Sequence, residues 1–310
     1  MSKFSRFFNG SWEGLKISLS ALGINKTRSV LTTLCIIIGI VMVTLMNAIS
    51  NGMDAEFEQS MSMLGQNVVY VGKWPWGGGE DYEWWEYRSR RDMQLEYVEE
   101  IRESSRLASA VSGAAGRGTS MRYEEASIEG VSIRGVTDQY FETAGLNIAR
   151  GRAFTAQELR SGANVAVLGV TIVEKLFERS NALGKEIRMG GQEFRVIGIL
   201  EKQGKFLGLE DMDRQALVPI TAYGQIFSLR WGIQIAVKFP SEQVLENGKY
   251  EIEGIMRRIR GLAATEENDF AINQTQAFEE QLESFKSGLY LVGGALTALS
   301  LLIGGIGVMN

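Results

Sequence analysis

The sequence predicts an α+β fold: an extracytoplasmic mixed α/β domain on a two-helix stem, with two transmembrane helices. Three observations carry this expectation. Two uncharged runs, Ser29 to Met53 and Ser287 to Asn310, are each long enough to span a membrane. Such a helix needs about 20 apolar residues to cross a hydrocarbon core of roughly 30 Å. Between the runs lie more than 230 residues of ordinary soluble composition, in which strand and helix periodicities alternate. Finally, apolar stripes of helical spacing adjoin both runs on their domain side. The expected organisation is a cytoplasmic amphipathic helix (1–28), a first span (29–50), the extracytoplasmic domain with its stalk helices (51–287) and a second span (288–310).

Residues 12 to 24 read as an amphipathic helix. Trp12, Leu15, Leu19 and Leu22 recur at helical spacing. Beside a span and basic residues, such a helix suits the cytoplasmic membrane interface, packing on lipid, on its own protein, or on both. The run that follows is too long for the apolar segment of a signal peptide, is preceded by 28 residues and is followed by no A-x-A-like site, so it reads as an uncleaved span. Residues 1–28 carry five basic side chains against Glu13, a net charge of +4, whereas Asp54, Glu56 and Glu58 follow the span. The positive-inside rule places the N-terminus in the cytoplasm and the domain outside. The rest of the chain has a net charge of −9, which argues against nucleic-acid binding. Cys35, the one cysteine, lies in the first span as a small packing residue, so the domain has no disulfide.

The stem is read from spacing. Met53, Phe57, Met61 and Leu64 continue a 4-4-3 stripe beyond the first run, and Phe278, Leu282, Phe285 and Leu289 approach the second at 4-3-4. A helix from Ser29 to Leu64 would measure roughly 54 Å at ~1.5 Å per residue. The two stripes suit packing on each other or on the underside of the domain. Within the domain, Asn67–Val71 and Ser127–Val136 read as strands, and Leu95–Arg106 as a helix. Thr155 and Glu158 form a capping-box pair at the start of a short helix. Asn164–Gly169 is an apolar strand followed by a helix. Two alternating arms around Gly190-Gly191 signal a hairpin. Ile233, Ile235, Val237 and Phe239 mark a strand with one buried face, and 242–260 a helix with Ile252, Ile255, Met256 and Ile259 inward.

Four of six tryptophans, Trp74, Trp76, Trp84 and Trp85, flank the Gly77–Gly79 run. This reads as a loop that contacts a partner, a substrate or the outer leaflet, or whose aromatics fold back on the domain. The chain has no histidine, which excludes a histidine-dependent triad and removes the commonest general base. One cysteine cannot make a zinc site, and no P-loop pattern occurs. Glu210, Asp211 and Asp213 lack an EF-hand pattern and read as a solvated loop. No catalytic residue, cofactor or metal is expected, and the chain is not expected to be an enzyme.

Several segments together resemble the MacB/FtsX-type ABC transporter permeases. The stretch "SWEGLKISLSALGINKTRSVLTTLCIIIGIVMV" is similar to the family's amphipathic helix and "NK.RS.LT..GI.IG" motif, matching at Asn25, Lys26, Arg28, Ser29, Leu31, Thr32, Ile38 and Gly39, with Cys35 where a glycine is usual. "LGQNVVYV" resembles the opening of the periplasmic core domain, and Gly135, Val136, Tyr140, Gly151, Arg152 and Phe154 match "GV...Y.......GR.F". "VAVLGVTIVEKLF", "ALGKEIRMGGQEFRVIGIL" and "LVPI" follow in family order, and "GGIGVMN" resembles the start of the second span.

The resemblance implies a MacB-like periplasmic core domain of two subdomains within a permease that does not itself hydrolyse ATP. It implies a cytoplasmic ABC ATPase as partner, a homo- or heterodimer of permeases, contact with membrane lipid, and a periplasmic or outer-membrane partner. The location implied is the bacterial inner membrane. The mechanism implied is mechanotransmission for export or efflux, in which ATP-driven movement of the stalk helices changes the periplasmic domain. It also implies that this chain is the N-terminal half of a longer permease. The competing expectation is a two-span sensor or scaffold without transport activity.

Overall fold

A computed structural model describes residues 26–309, except 77–82, 179, 207–209 and 230–231. The expected interfacial helix with Trp12, Leu15, Leu19 and Leu22 lies outside the described residues. The chain divides into two compact units, one holding the residues up to Ala55 and from Gln281 onward, the other Glu56–Glu280.

In the first unit, helix α1 (Lys26–Ser62) runs beside the last helix of the chain, α9 (Gln276–Met309). Both are long and apolar enough to cross a membrane, over Ser29–Met61 and Gln281–Ile306. Their facing seams have heptad-like spacing. On α1 the least exposed residues are Thr32, Cys35, Gly39, Met42, Met46, Ser50 and Met53; on α9 they are Leu282, Lys286, Leu289, Gly293, Thr297, Ser300 and Gly304. The contacts are antiparallel. A Cβ at Gly304 would lie 3.7 Å from Cys35 Cβ, and one at Gly39 3.9 Å from Ser300 Cβ. A Cβ at Gly293 would overlap the thioether of Met46. Small residues thus let the backbones approach, as membrane helices require when no hydrophobic gain drives them together. The outward faces are apolar, with Val30 67% and Leu291 74% exposed, which suits lipid rather than water.

The second unit is built on a ten-stranded mixed sheet in the order β12-β1-β11-β2-β3-β10-β5-β7-β4. The strands are β1 (Val68–Gly72), β2 (Ala110–Tyr123), β3 (Ala126–Val136), β4 (Ile148–Gly151), β5 (Val165–Leu168), β6 (Glu186–Met189), β7 (Gln192–Leu200), β10 (Gln215–Pro219), β11 (Gln234–Lys238) and β12 (Ala271–Asn273). A separate small hairpin joins β8 (Lys205–Phe206) to β9 (Glu210–Asp211). Strand β6 pairs with both β2 and β7, closing a ring of pairings through β3, β10 and β5. Ring closure covers the edges of β6 and its ring partners, while β12 and β4 stay at the two ends of the strand order.

Helices α3 (Glu96–Ser104), α6 (Val170–Phe177), α7 (Ile220–Ile226) and α8 (Glu242–Arg260) supply residues to the main core, among them Ile101, Ile172, Tyr223 and Met256. The opposite face of the sheet carries two small clusters, one around Val136 and Leu217 and one of Val68, Tyr70 and Ala236. The remaining short helices are α2 (Trp84–Arg88), α4 (Tyr140–Thr143) and α5 (Ala156–Ser161).

The elements read from periodicity lie within a residue or two of those observed, whereas β2, β4, β10, β12 and α7 are not read from it. Three readings change. Helix α1 ends at Ser62 rather than Leu64, because Gly65 takes φ +83° and its turn closes against the Thr143 carbonyl, where a Cβ would clash. Strand β11 has the expected buried face in Ile235 and Val237, but its other face is also covered at Ala236, between exposed Gln234 and half-buried Lys238. Asp213 is not solvated: it is 3% exposed and accepts the backbone N–H groups of Gln203 at 2.7 Å and Gly204 at 2.9 Å, anchoring the β8–β9 hairpin.

Candidate functional site

Within the second unit, both stalk segments meet the sparsely covered face of the sheet. The Tyr70 hydroxyl, on β1, donates to the carbonyl of Leu64, two residues past α1. The Tyr70 ring lies 4.9 Å from that of Trp76, and Trp76 lies 5.2 Å from Phe278 in the first turn of α9. Asn273, 5% exposed, fixes this arrangement: its Oδ1 accepts the Trp76 backbone N–H at 2.7 Å and its Nδ2 donates to the Trp74 carbonyl at 2.9 Å. Burial, with a smaller contribution from Tyr140 and partial opposition from Arg134, raises the Tyr70 hydroxyl above its ordinary value. It therefore stays a protonated donor to Leu64. Tilted aromatic pairs at these separations add about 0.5–1.5 kcal/mol each beyond area burial.

A cavity of about 170 Å³ lies beneath this junction, and a second of about 380 Å³ shares Trp76, Ala114, Arg134 and Gln234 with it. Met63, Leu64 and Trp76 line the first cavity, with Gln215 and the hydroxyls of Ser112 and Thr143, which lie 2.6 Å apart. The Arg134 guanidinium donates to the Tyr140 hydroxyl at 3.2 Å.

The expected stalk residues divide by exposure. Met53, Phe57, Met61, Leu64, Phe278 and Leu282 are half-buried, but Phe285 is 61% exposed. Lys286 takes the inward place, with its ammonium 2.9 Å from Asp54 and 2.8 Å from Glu283. The seam of α9 is thus rotated by one residue from the stripe read in the sequence, because Leu282, Lys286, Leu289 and Gly293 also satisfy a 4-3-4 spacing. A charged residue hid that register.

The tryptophans divide as well. Trp76 folds back on Tyr70 and Phe278, while Trp74, Trp84 and Trp85 are 41%, 52% and 56% exposed. Trp84 and Trp85 form an edge-on pair with centroids 6.0 Å apart on α2, where the sequence suggested a loop. Their segment begins after the glycine run, and Glu86 and Arg88 give a short helix charges of favourable sign in its first and last turns.

The "GR.F" motif has a structural explanation. Gly151 takes φ +83°, where a side chain would strike the Ile197 carbonyl. Arg152 holds Glu158 with two nitrogens at 2.8 and 2.7 Å, and Thr155 and Glu158 complete the capping box of α5. The Arg152 hydrogen bonds, working against partial burial, together with the Thr155 bonds hold the Glu158 carboxyl down at about 2. Among the described residues, no three histidine, cysteine, aspartate or glutamate side chains gather as metal ligands. The sequence did not point to Tyr70, Arg134, Asn273 or Gln215; the one available signal was a polar residue at an alternating position within an otherwise apolar strand.

The family model described as the MacB-like periplasmic core domain matches residues 29–255. The chain is 28% identical over 309 residues to the macrolide export ATP-binding/permease protein MacB of Neisseria gonorrhoeae, covering 100% of this chain and 46% of that protein. It is 27% identical over 303 residues to the uncharacterized ABC transporter permease YvrN of Bacillus subtilis, covering 96% and 74%. The chain spans about half the length of the MacB relatives it matches. The periplasmic region of MacB from Actinobacillus actinomycetemcomitans shares the fold, with a TM-score of 0.55 and 18% identity over 72% of this chain and 95% of that one. Two apolar helices with such a domain between them fit an inner-membrane protein with a periplasmic domain. The family match over residues 29–255, in register with the sheet and the first span, places the chain in the MacB-like periplasmic core domain family.

Proposed function

We propose that this chain is the part of an ABC transporter permease that carries ATP-driven helix movement into a periplasmic domain, for export or efflux. One observation carries the reading: Leu64, Tyr70, Trp76 and Phe278 form a continuous set of contacts joining the ends of both long helices to one sheet. A displacement of either helix end must break or move these contacts, because packed interfaces respond by discrete rearrangement rather than smooth deformation. The family relationship and the named permease relatives support the same role. In this reading a cytoplasmic ABC ATPase supplies hydrolysis, the permeases pair as a homo- or heterodimer, and an outer-membrane or periplasmic partner receives the cargo. The N-terminus is cytoplasmic, in line with the +4 charge of residues 1–28. The stalk residues Met53, Phe57, Met61, Leu64, Phe278 and Leu282 transmit the motion.

The test is Phe57→Glu in the permease reconstituted with its ATPase. Phe57 is half-buried on the stalk face of α1 and outside the sheet core. ATP turnover should persist while the ATP-dependent change in protease sensitivity of the periplasmic domain disappears. An unchanged ATP-dependent response in a folded variant would refute the mechanical role.

A further inference from the structure

Beside the junction, the segment that follows α2 borders an open groove of about 530 Å³. Arg90, Lys249 of α8, Gln274 and Gln276 line it, with Pro75 and Ile272 among its apolar walls. Arg90 and Lys249 are the charged side chains of this lining, and no carboxylate lines it among the described residues. A groove with cations and no acid favours an anion and disfavours a cation.

The two cations are not equivalent. The Lys249 ammonium is shared, donating to Gln274 Oε1 at 3.0 Å and pairing with Glu246 at 3.3 Å. Arg90 pairs with no carboxylate among the described residues. Its guanidinium lies 4.6 Å from the centroid of the Tyr87 ring, a contact that sets its position, and Nη1 reaches the Lys73 carbonyl at 3.5 Å. Its Nε and Nη2 have no hydrogen-bond partner among the described residues. The side chain is half-buried, and neither nitrogen is sealed from solvent. Nε and Nη2 bound one edge of the planar guanidinium, and a carboxylate meets such an edge with two parallel hydrogen bonds. Because Glu246 already shares Lys249, the groove presents one unmatched cation. That suits a singly charged carboxylate better than a phosphate monoester, which carries about −1.5 to −2 at pH 7.

We propose that this groove binds a small organic carboxylate, with the carboxylate on the Nε–Nη2 edge of Arg90 and the apolar body against Pro75 and Ile272. The site is independent of the coupling reading, because binding is measured on this chain alone, without an ATPase.

The probe is 4-fluorobenzoate, followed by its fluorine resonance during titration of the full chain in phosphatidylcholine nanodiscs. Its neutral analogue is 4-fluorobenzamide, and empty nanodiscs give the lipid background. The expected result is a saturable shift above background, with the amide about tenfold weaker. Arg90→Gln should weaken the benzoate by about tenfold and remove the preference over the amide. Lys249→Gln should weaken it less. Arg188→Gln, which removes a cation outside the groove, should leave binding unchanged. Melting behaviour like that of the wild type shows that folding is not the cause, and the comparison of benzoate with amide tests the site without any variant. A shift no larger than in empty nanodiscs, equal binding of benzoate and amide, or wild-type binding in a folded Arg90→Gln variant would each overturn the proposal. Phenyl phosphate should displace the probe less readily than unlabelled benzoate does. Displacement as strong as by benzoate would make the groove a general anion trap and overturn the carboxylate assignment.

Discussion

At the scale of single residues, the chain uses its motif positions to hold the domain together and less conspicuous ones to build the junction. Arg152, Thr155 and Glu158 form a closed hydrogen-bonded group at the start of α5. The Glu158 carboxyl titrates at about 2, well below the usual ~4.3. Its folded value is depressed, so its contribution to stability is complete above about pH 4.3 and is lost as the pH falls toward 2. Urea unfolding midpoints of the wild type should therefore fall across that window more steeply than those of Glu158→Gln, which should be less stable at neutral pH and nearly equal at pH 2. The capping box could be read directly from the spacing of Thr155 and Glu158. The junction could not: Tyr70, Asn273 and Gln215 lie far apart in sequence, and nothing in a run such as "NVVYV" tells which face of the strand meets an uncovered surface. Gln215 alone carries a local signal, as the one polar side chain in a fully buried five-residue strand.

At the scale of elements, apolar periodicity identified the strands and helices rich in large apolar residues, and missed the small-residue strand β2, "AVSGAAGRGTSMRY". On β11 the alternating Ile233, Ile235 and Val237 mark the buried face but give no sign that Ala236, on the face of exposed Gln234, is covered too. In α9 the apolar stripe through Phe285 competed with a seam containing Lys286. The seam prevails because an ammonium can pair with Asp54 while its aliphatic stem packs, whereas Phe285 suits an apolar surrounding outside the pair. Sequence hydrophobicity alone cannot separate a lipid-facing stripe from a helix-facing one. The close approach at Gly293 gives a direct check. Gly293→Leu should drive the helices apart against Met46 and lower the thermal midpoint in nanodiscs. Met46→Ala in the same chain should recover part of the loss, a coupling of about 1 kcal/mol or more between the two sites. Additive losses would place the Gly293 side of α9 against something other than Met46.

At the scale of the molecule, the two uncharged runs and the order of the motifs made the architecture legible: two long helices, a mixed domain between them, and membership of the MacB-like family. What remained out of reach was the place where stalk segments, sheet and tryptophan segment converge, because that depends on how the sheet folds back between residues as distant as Tyr70 and Phe278. Mechanical coupling through this junction requires Trp76 to lie within that convergence and not on an idle surface. The most direct measurement is fluorine NMR of the permease with its ATPase, labelled with 5-fluorotryptophan, with the Trp76 resonance assigned by its loss in Trp76→Phe. Mechanical coupling predicts that this resonance moves between the nucleotide-free and ATP-trapped states, and that Phe57→Glu abolishes the movement while ATP turnover continues. A Trp76 resonance that stays fixed while ATP is hydrolysed would contradict the central claim.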